Sequence, residues 1–291
     1  MPLDVLCVGA VTVDTIAVVD RAPGPDGRVV ATPFTVAGGG PAATAAVTLA
    51  RLGVPVGFCG VVGDDAEGAL SRALLEKAGV DTTWLVTRPG VRTTQSMIVV
   101  SREQGTRMIV TTPSPPPPPV PAGVARWLHL DQTGYPAARE HTGAKISLDG
   151  GNPVSGLDVT GLDLYAPAVG GLADAFPAAT LAESMRAAAA AGAREVVATA
   201  GAEGSYVLVD GEVHHVPPIT VESPVSTMGA GDVFHGALLA GLVQGRSLVD
   251  AARRANAVAA LSCRALDGRT GIPDADETER FLSTVDPGVS V

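Results

Sequence analysis

From residue 127 onward the chain alternates short apolar runs with helical stretches. The runs fall at 127–130, 145–148, 163–166 and 195–199, and an alanine-rich helical segment covers 180–191. Runs that are apolar at consecutive positions have no wet face, so they read as strands buried on both sides. Parallel strands joined by helices meet that demand, and the alternation predicts a mainly parallel sheet with helices on its two faces. The first half repeats the pattern: strands at 4–9 and 55–62, and helices at 40–52 and 65–78 that stop at Gly53 and Gly79. Asp210-Gly211 is a hairpin turn between strands at 205–209 and 212–216, and helices are expected at 230–242, 247–262 and 276–283.

Two segments break the pattern. Residues 12–36 and 84–112 are β-rich and more polar, with a partly exposed strand at 28–36 and hairpin strands at 94–101 and 107–111 around Glu103-Gln104-Gly105. They predict a small sheet separate from the main one, inserted in a single domain that spans residues 1–291. The run Pro113-Ser114-Pro115-Pro116-Pro117-Pro118-Pro119 is a stiff polyproline spacer behind it.

Composition narrows the function classes. With 291 residues the chain can bury one large α/β core. A hydrophobic share of 46% excludes disorder, while 35 glycines and only 3% aromatics imply helices that approach the sheet closely. Twenty Lys plus Arg against 30 Asp plus Glu leave a net charge of −10, which argues against nucleic acid as a partner. A few local donors can still hold a small anion. Cys7, Cys59 and Cys263 are scattered through apolar runs and read as buried free thiols, neither a disulfide framework nor a metal knuckle. The start of the chain has no basic leader, and no stretch approaches the ~20 apolar residues that cross a bilayer, so the expectation is a cytoplasmic protein with no membrane partner.

Chemistry concentrates in two glycine-rich helix openings. In Ser226-Thr227-Met228-Gly229-Ala230-Gly231-Asp232-Val233-Phe234-His235-Gly236 the turn leads directly into a helix, exposing backbone N–H groups at the positive end of its dipole. Such donors suit a phosphoryl group gaining charge in transfer, and Asp232 in the first turn can accept a hydroxyl proton. An ordinary tight turn with Asp232 as a helix cap is the competing reading. The spacing is neither a Walker A nor a dinucleotide fingerprint, since no Lys-Ser/Thr follows and Phe234 fills the last glycine position. The second opening, Gly38-Gly39-Gly40-Pro41-Ala42-Ala43-Thr44, lets a ligand approach bare backbone. Two such openings suggest two ligands.

Together these stretches resemble the two signatures of the ribokinase-like (PfkB) family of carbohydrate kinases. Gly39-Gly40-Pro41-Ala42-Ala43-Thr44 with Ala50-Arg51-Leu52-Gly53 resembles the first, Thr227-Met228-Gly229-Ala230-Gly231-Asp232 the second, and Thr199-Ala200-Gly201-Ala202-Glu203-Gly204 the nucleotide loop. The resemblance implies a three-layer Rossmann-type sandwich with a β-sheet lid, and ATP- and Mg2+-dependent phosphorylation of a primary hydroxyl on a sugar. It implies Asp232 as base and Gly229, Ala230 and Gly231 as anion hole. Thr199, Gly201, Gly204 and Asn256 would hold the nucleotide, and Asp14, Asp26, Gly39, Gly40, Thr44, Thr111 and Thr133 would face the sugar. A homodimer through the lid sheet is a further expectation of the resemblance. Within the family the chain is most similar to the sulfofructose kinases, through Gly38 to Ala46, Pro113-Ser114-Pro115, Gly231 to Leu238 and Gly271-Ile272-Pro273-Asp274, and more distantly to ketohexokinases.

Departures from the family pattern refine the substrate. Thr44 replaces the usual Asn, as in the sulfofructose kinases. Thr133 and Thr111 stand where that branch has Arg and Asn, and a hydroxyl cannot supply the charge-assisted bond of a guanidinium. A neutral ketose or polyol is therefore expected over a sulfosugar. The family's Asn-x-x-Glu metal motif is missing, since Pro167-Ala168-Val169-Gly170-Gly171 is apolar. Magnesium can ride on the ATP phosphates, with Asp149 reaching its waters. Ser226 and Met228 replace residues associated with a monovalent cation, which predicts weak potassium activation. His235 is expected to pack the helix. The rival readings are a degenerate kinase acting as a sugar or nucleotide sensor, and a nucleoside kinase.

Overall fold

In the computed structural model, which describes residues 3–104, 106–141 and 143–285, both sheets expected from the sequence are present. The first half contains β1 (Leu3–Val8), β2 (Thr12–Val19), β3 (Phe34–Gly39), α1 (Pro41–Arg51), β4 (Val56–Gly63), α2 (Ala66–Lys77), β5 (Leu85–Arg88), β6 (Thr94–Ser101) and β7 (Thr106–Thr111). Then follow β8 (Ala125–Leu130), α3 (Tyr135–Ala138), β9 (Lys145–Gly150), β10 (Leu164–Pro167), α4 (Val169–Ala175), α5 (Leu181–Ala190) and β11 (Glu195–Thr199). The last part holds β12 (Ser205–Val209), β13 (Glu212–Val216), α6 (Ala230–Val243), α7 (Leu248–Ser262) and α8 (Ala275–Val285).

The nine-stranded sheet runs β13-β12-β11-β10-β9-β8-β1-β4-β5, parallel from β11 through β5 and antiparallel only at β12 and β13. Consecutive strand residues feed opposite faces. Val5 and Cys7 pack with α1, α6 and α7, while Leu6 and Val8 pack with Tyr135, Leu172 and Met185 of α3, α4 and α5. This is the three-layer arrangement that two-sided apolar strands require. The scarcity of aromatics shows in the helix contacts: a Cβ on Gly236 of α6 would stand 2.7 Å from the Ala45 carbonyl of α1, so those backbones nearly touch.

The second sheet runs β3-β2-β6-β7. Its registers stack Ala37, Asp14, Ser96 and Thr111 across the four strands on the face toward the main domain. One residue along, Val36, Thr15, Met97 and Val110 stack on the other face, followed by Phe34, Ala17, Val99 and Met108. Phe34, Val36, Met97 and Val110 are exposed there.

Three differences from expectation have local causes. Residues 84–112 divide between the sheets: β5 joins the edge of the main sheet beside β4, because Leu85 is buried there, and only β6 and β7 belong to the small sheet expected as a lid. The strand expected at 28–36 starts at Phe34, since Pro33 has no N–H for a ladder. Helix α4 forms where an apolar loop was expected; Gly170-Gly171 masks its periodicity while Leu172 anchors it. Gly105 of the expected lid turn lies outside the described residues.

Candidate active site

The site lies where the parallel strands end. Ala10 follows β1, Gln132 and Thr133 follow β8, Asp149 is the penultimate residue of β9, Ala168 follows β10 and Thr199 closes β11, and all of them line one cleft. Ligands bind open α/β sheets at the carboxyl ends of their strands. Two cavities occupy this edge. One, of about 500 Å³, is lined mostly by apolar groups, including Ile219, Val221, Ala260 and Cys263 with Thr199, Gly201, Gly204 and Asn256. The other, of about 610 Å³, is more polar and is roofed by the lid sheet. They share three residues, Thr199, Thr227 and Gly231.

At that seam α6 begins. Gly229 takes the left-handed backbone conformation at the N-cap (φ 70°), and a Cβ there would press to 2.9 Å from Gly268 Cα, so only glycine fits. The Ala230 N–H donates weakly to Thr227 O at 3.3 Å, and the next amides, Gly231 and Asp232, have no intrahelical acceptor ahead of them. A Cβ on Gly231 would meet nothing within 4 Å, which leaves open space beside those donors. Asp232 opens onto the polar cavity on one edge. Burial of its carboxyl, reinforced by the Asp149 carboxylate, pushes its pKa up to about 7 against the pull of His235.

The polar cavity assembles most of the expected sugar residues: Asp14, Gly39, Gly40, Thr44, Thr111 and Thr133, with Asp149 and Asp232. Asp14 accepts a 2.6 Å hydrogen bond from Thr12 Oγ1, and its Oδ2 lies where a Gly39 Cβ would be, 2.0 Å away. Thr111 Oγ1 accepts from Ser96 Oγ at 3.3 Å, and the Thr133 N–H donates to Asp131 Oδ1 at 2.8 Å. Asp26 is not brought to the cavity: it sits in an exposed turn closed by Gly27 N–H donating to Gly24 O (2.9 Å). Asp149 is buried against His235, with Oδ2 2.9 Å from Nδ1, while Oδ1 accepts from Gly151 N–H at 2.7 Å. Burial favours neutral Asp149, yet the charges of His235 and His129 and the hydrogen bonds from His235 and Gly151 together hold the carboxyl below its ordinary range. His235 is raised in turn: burial would lower it, and the carboxylates of Asp149 and Asp232 overcome that. So His235 is a charge partner as well as a packing residue.

In the apolar cavity Asn256 spends its amide N–H groups on Val216 O (3.1 Å) and Pro217 O (3.0 Å), fixing the loop after β13 and leaving its carboxamide oxygen. Thr199 takes the last ladder position of β11, opposite Ser205, and Ala200 N–H donates to Gly204 O (2.8 Å), which closes the loop carrying Gly201.

Three functional residues escape sequence reasoning. Asp131 is wholly buried and accepts four backbone N–H groups, from Ala10 (2.8 Å), Ala42 (3.2 Å), Thr133 (2.8 Å) and Gly134 (2.9 Å). It thereby caps α1, whose own N-cap Gly40 has no side chain. Arg107 reaches from the lid to donate to Thr227 Oγ1 (3.1 Å) and lines the polar cavity. Arg269 donates to Thr44 Oγ1 (3.1 Å) and to Gly39 O from the loop before α8. Nothing local in the sequence flags these three; each meets its partners only through the fold.

The sequence model of the pfkB family of carbohydrate kinases matches residues 2–116 and 165–275. Ribokinase of Bacillus subtilis is 26% identical, covering 96% of this chain and 99% of the relative. A fructokinase of Escherichia coli is 30% identical over 90% of this chain and 96% of the relative. Among solved structures, ribokinase from Thermotoga maritima superimposes with a TM-score of 0.83 at 25% identity, covering 97% of this chain and 99% of that one. The chain belongs to the pfkB family, and it is an ATP-dependent carbohydrate kinase.

Proposed function

We propose that the chain transfers the γ-phosphoryl group of ATP to a primary hydroxyl of a neutral, ketose-like sugar. The observation that carries this is the meeting of an apolar and a polar cavity at Gly231, Thr199 and Thr227, with Asp232 beside the seam. A flat base suits the apolar cavity, whose loops Gly201–Glu203 and 217–221 frame it. A polyhydroxylated ligand suits Asp14, Thr44, Thr111, Gln132 and Thr133. Asp232, poised near neutral pH, takes the hydroxyl proton as the oxygen attacks phosphorus. The amides of Gly231 and Asp232 and the α6 dipole meet the charge gathering on the transferred group. Arg107 sits at the Thr227 end of the cavity, so it serves the phosphoryl side, and among the described residues it is the one Lys or Arg that lines the cavity. That distribution favours an uncharged sugar, and the names fructokinase and ribokinase carried by the relatives are consistent with it.

Among the described residues no three His, Cys, Asp or Glu side chains converge on one point. The chain thus suits magnesium bound by nucleotide oxygens and water, with Asp149 facing those waters from the cavity wall. When bound, the ion would screen the phosphate charges.

The exposed rows of Phe34, Val36, Met97 and Val110 support a homodimer through the outer face of the lid sheet. Val110→Lys should leave a monomer in sedimentation; an unchanged mass would remove the lid from the interface. Among the described residues no helix is long and apolar enough to cross a membrane, and we read the protein as cytoplasmic, where ATP is available.

The test is ATP consumption over a panel of ketoses, aldopentoses, polyols and nucleosides. A ketose should give the highest kcat/KM, and Asp232→Asn should lower kcat by about 100-fold or more while ATP still binds. Turnover of nucleosides alone would replace the sugar reading, and nucleotide binding with no turnover of any alcohol would make the chain a sensor.

A further inference from the structure

Arg269 is 8% exposed, although no acidic residue forms a direct ion pair with it among the described residues. Burial lowers its pKa to about 10, opposed by the fields of Asp14, Asp232 and Asp267, so it stays charged at neutral pH. Its side chain joins two segments far apart in the sequence. Nε donates to Thr44 Oγ1 at 3.1 Å and Nη2 to the Gly39 carbonyl, partners 225 and 230 residues away. Its Nη1 has no hydrogen-bond partner among the described residues and lies 2.4 Å from where a Gly38 Cβ would be, so the glycine leaves room for it. The loop that carries it is itself fixed, with Asp267 Oδ1 accepting from Arg269 N–H and Thr270 N–H at 2.8 Å each. Gly268 of the same loop backs Gly229 at the start of α6.

A guanidinium has donors and no acceptor. Toward Arg269 the Thr44 hydroxyl can therefore only accept, and its own proton must point elsewhere. Thr44 lines the polar cavity, so that proton is available there. Asp14 lines the same cavity and offers carboxyl oxygens as acceptors. The pair presents one donor and one acceptor to a ligand.

We propose that Arg269 is a positioning residue for sugar recognition. It fixes the Thr44 hydroxyl as a donor into the cavity and holds the Gly39-Gly40 backbone beside Asp14. The proposal rests on the reading of the polar cavity as the sugar site. It also assigns the loop at 267–270 a double task, since the segment that supports the anion hole also orders the sugar contacts. A lysine cannot replace the fork, because one ammonium is a point donor without the planar spread that reaches both oxygens.

Arg269→Lys, Thr44→Val, Thr44→Ser and the Lys/Val double variant are compared with the wild type, with sugar and ATP varied separately. Arg269→Lys and Thr44→Val should each raise the sugar KM about tenfold, with the ATP KM within about twofold and kcat falling less than KM rises. The double variant should be no worse than either single one, because both remove the same donor. Thr44→Ser should recover most of what Thr44→Val loses. Additive losses, an equal rise in the ATP KM, or an unmoved sugar KM would overturn the assignment. Hydrogen exchange of a peptide covering residues 39–48 separates this from failure of the sugar reading. If the wild type phosphorylates no sugar, faster exchange there alone in Arg269→Lys still supports the positioning role, and unchanged exchange rejects it. Should Arg269→Lys not fold, the Val against Ser comparison at Thr44 decides alone.

Discussion

Replacing Gly39 with Ala is expected to destroy sugar recognition in a protein that still folds. The new Cβ would stand 2.0 Å from Asp14 Oδ2 and 2.5 Å from Thr12 Oγ1, two atoms at the ends of rotatable side chains. An ordinary contact is about 3.5 Å, so the Asp14 carboxylate must retreat by about 1.5 Å. Its 2.6 Å bond from Thr12 cannot follow, because Thr12 is displaced by the same methyl. A misplacement of about 1 Å can cost about 100-fold in rate, which sets kcat/KM for the sugar down by about 100-fold or more. Side chains rather than backbone give way, so Tm should move by only a few degrees, about what 1 kcal/mol does to a domain of this size. Steady-state kinetics with sugar and ATP varied in turn, beside a thermal melt, measure this. The ATP KM should stay near the wild-type value, and adding Asp14→Asn to Gly39→Ala should cost little more. A Gly39→Ala enzyme within about threefold of wild type in sugar kcat/KM would refute the placement of Asp14 at the sugar.

Three further outcomes follow from buried carboxyls. Asp232, pushed up to about 7, must be ionised to act as base, so turnover should rise as pH climbs through neutrality and then level; a limb near ordinary carboxylate values would contradict the burial argument. Because the folded protein holds that proton more tightly than the unfolded chain, the same group adds stability at low pH that fades between the ordinary carboxylate range and about 7. Asp131→Asn leaves one oxygen for the four N–H groups from Ala10, Ala42, Thr133 and Gly134 and turns an amide donor toward two of them. Two unsatisfied buried donors cost about 2–6 kcal/mol in a denaturant titration, and a loss under about 1 kcal/mol would mean that those amides find other partners.

What the sequence makes legible depends on how local the signal is. The runs at 127–130 and 195–199 bury both faces, so their apolar continuity alone marks them as central strands, and β8 and β11 form there. The Gly229-Ala230-Gly231-Asp232 turn carries its chemistry in four consecutive residues. Asp131, Arg107 and Arg269 carry none that a neighbour in sequence reveals; Arg269 acts on Gly39 from 230 residues away. Asp26 shows the opposite error, since the family resemblance puts it at the sugar and its exposed turn holds it outside the cavity. Residues 85–88 look like lid because they precede lid strands, and only burial of Leu85 beside β4 reveals their true sheet.

The lid sheet interleaves two chemistries one residue apart: Asp14, Ser96 and Thr111 face the cavity, and Thr15, Met97 and Val110 face away. A strand's faces exchange with every shift of one residue. Inserting or deleting a single residue would therefore turn the Asp14 carboxylate outward if it fell early in β2, or Met97 inward if it fell early in β6, whereas a change of two preserves the alternation. Insertions and deletions between related chains should accordingly accumulate in the exposed stretch between β2 and β3, where Asp26 lies, and spare the strands on either side.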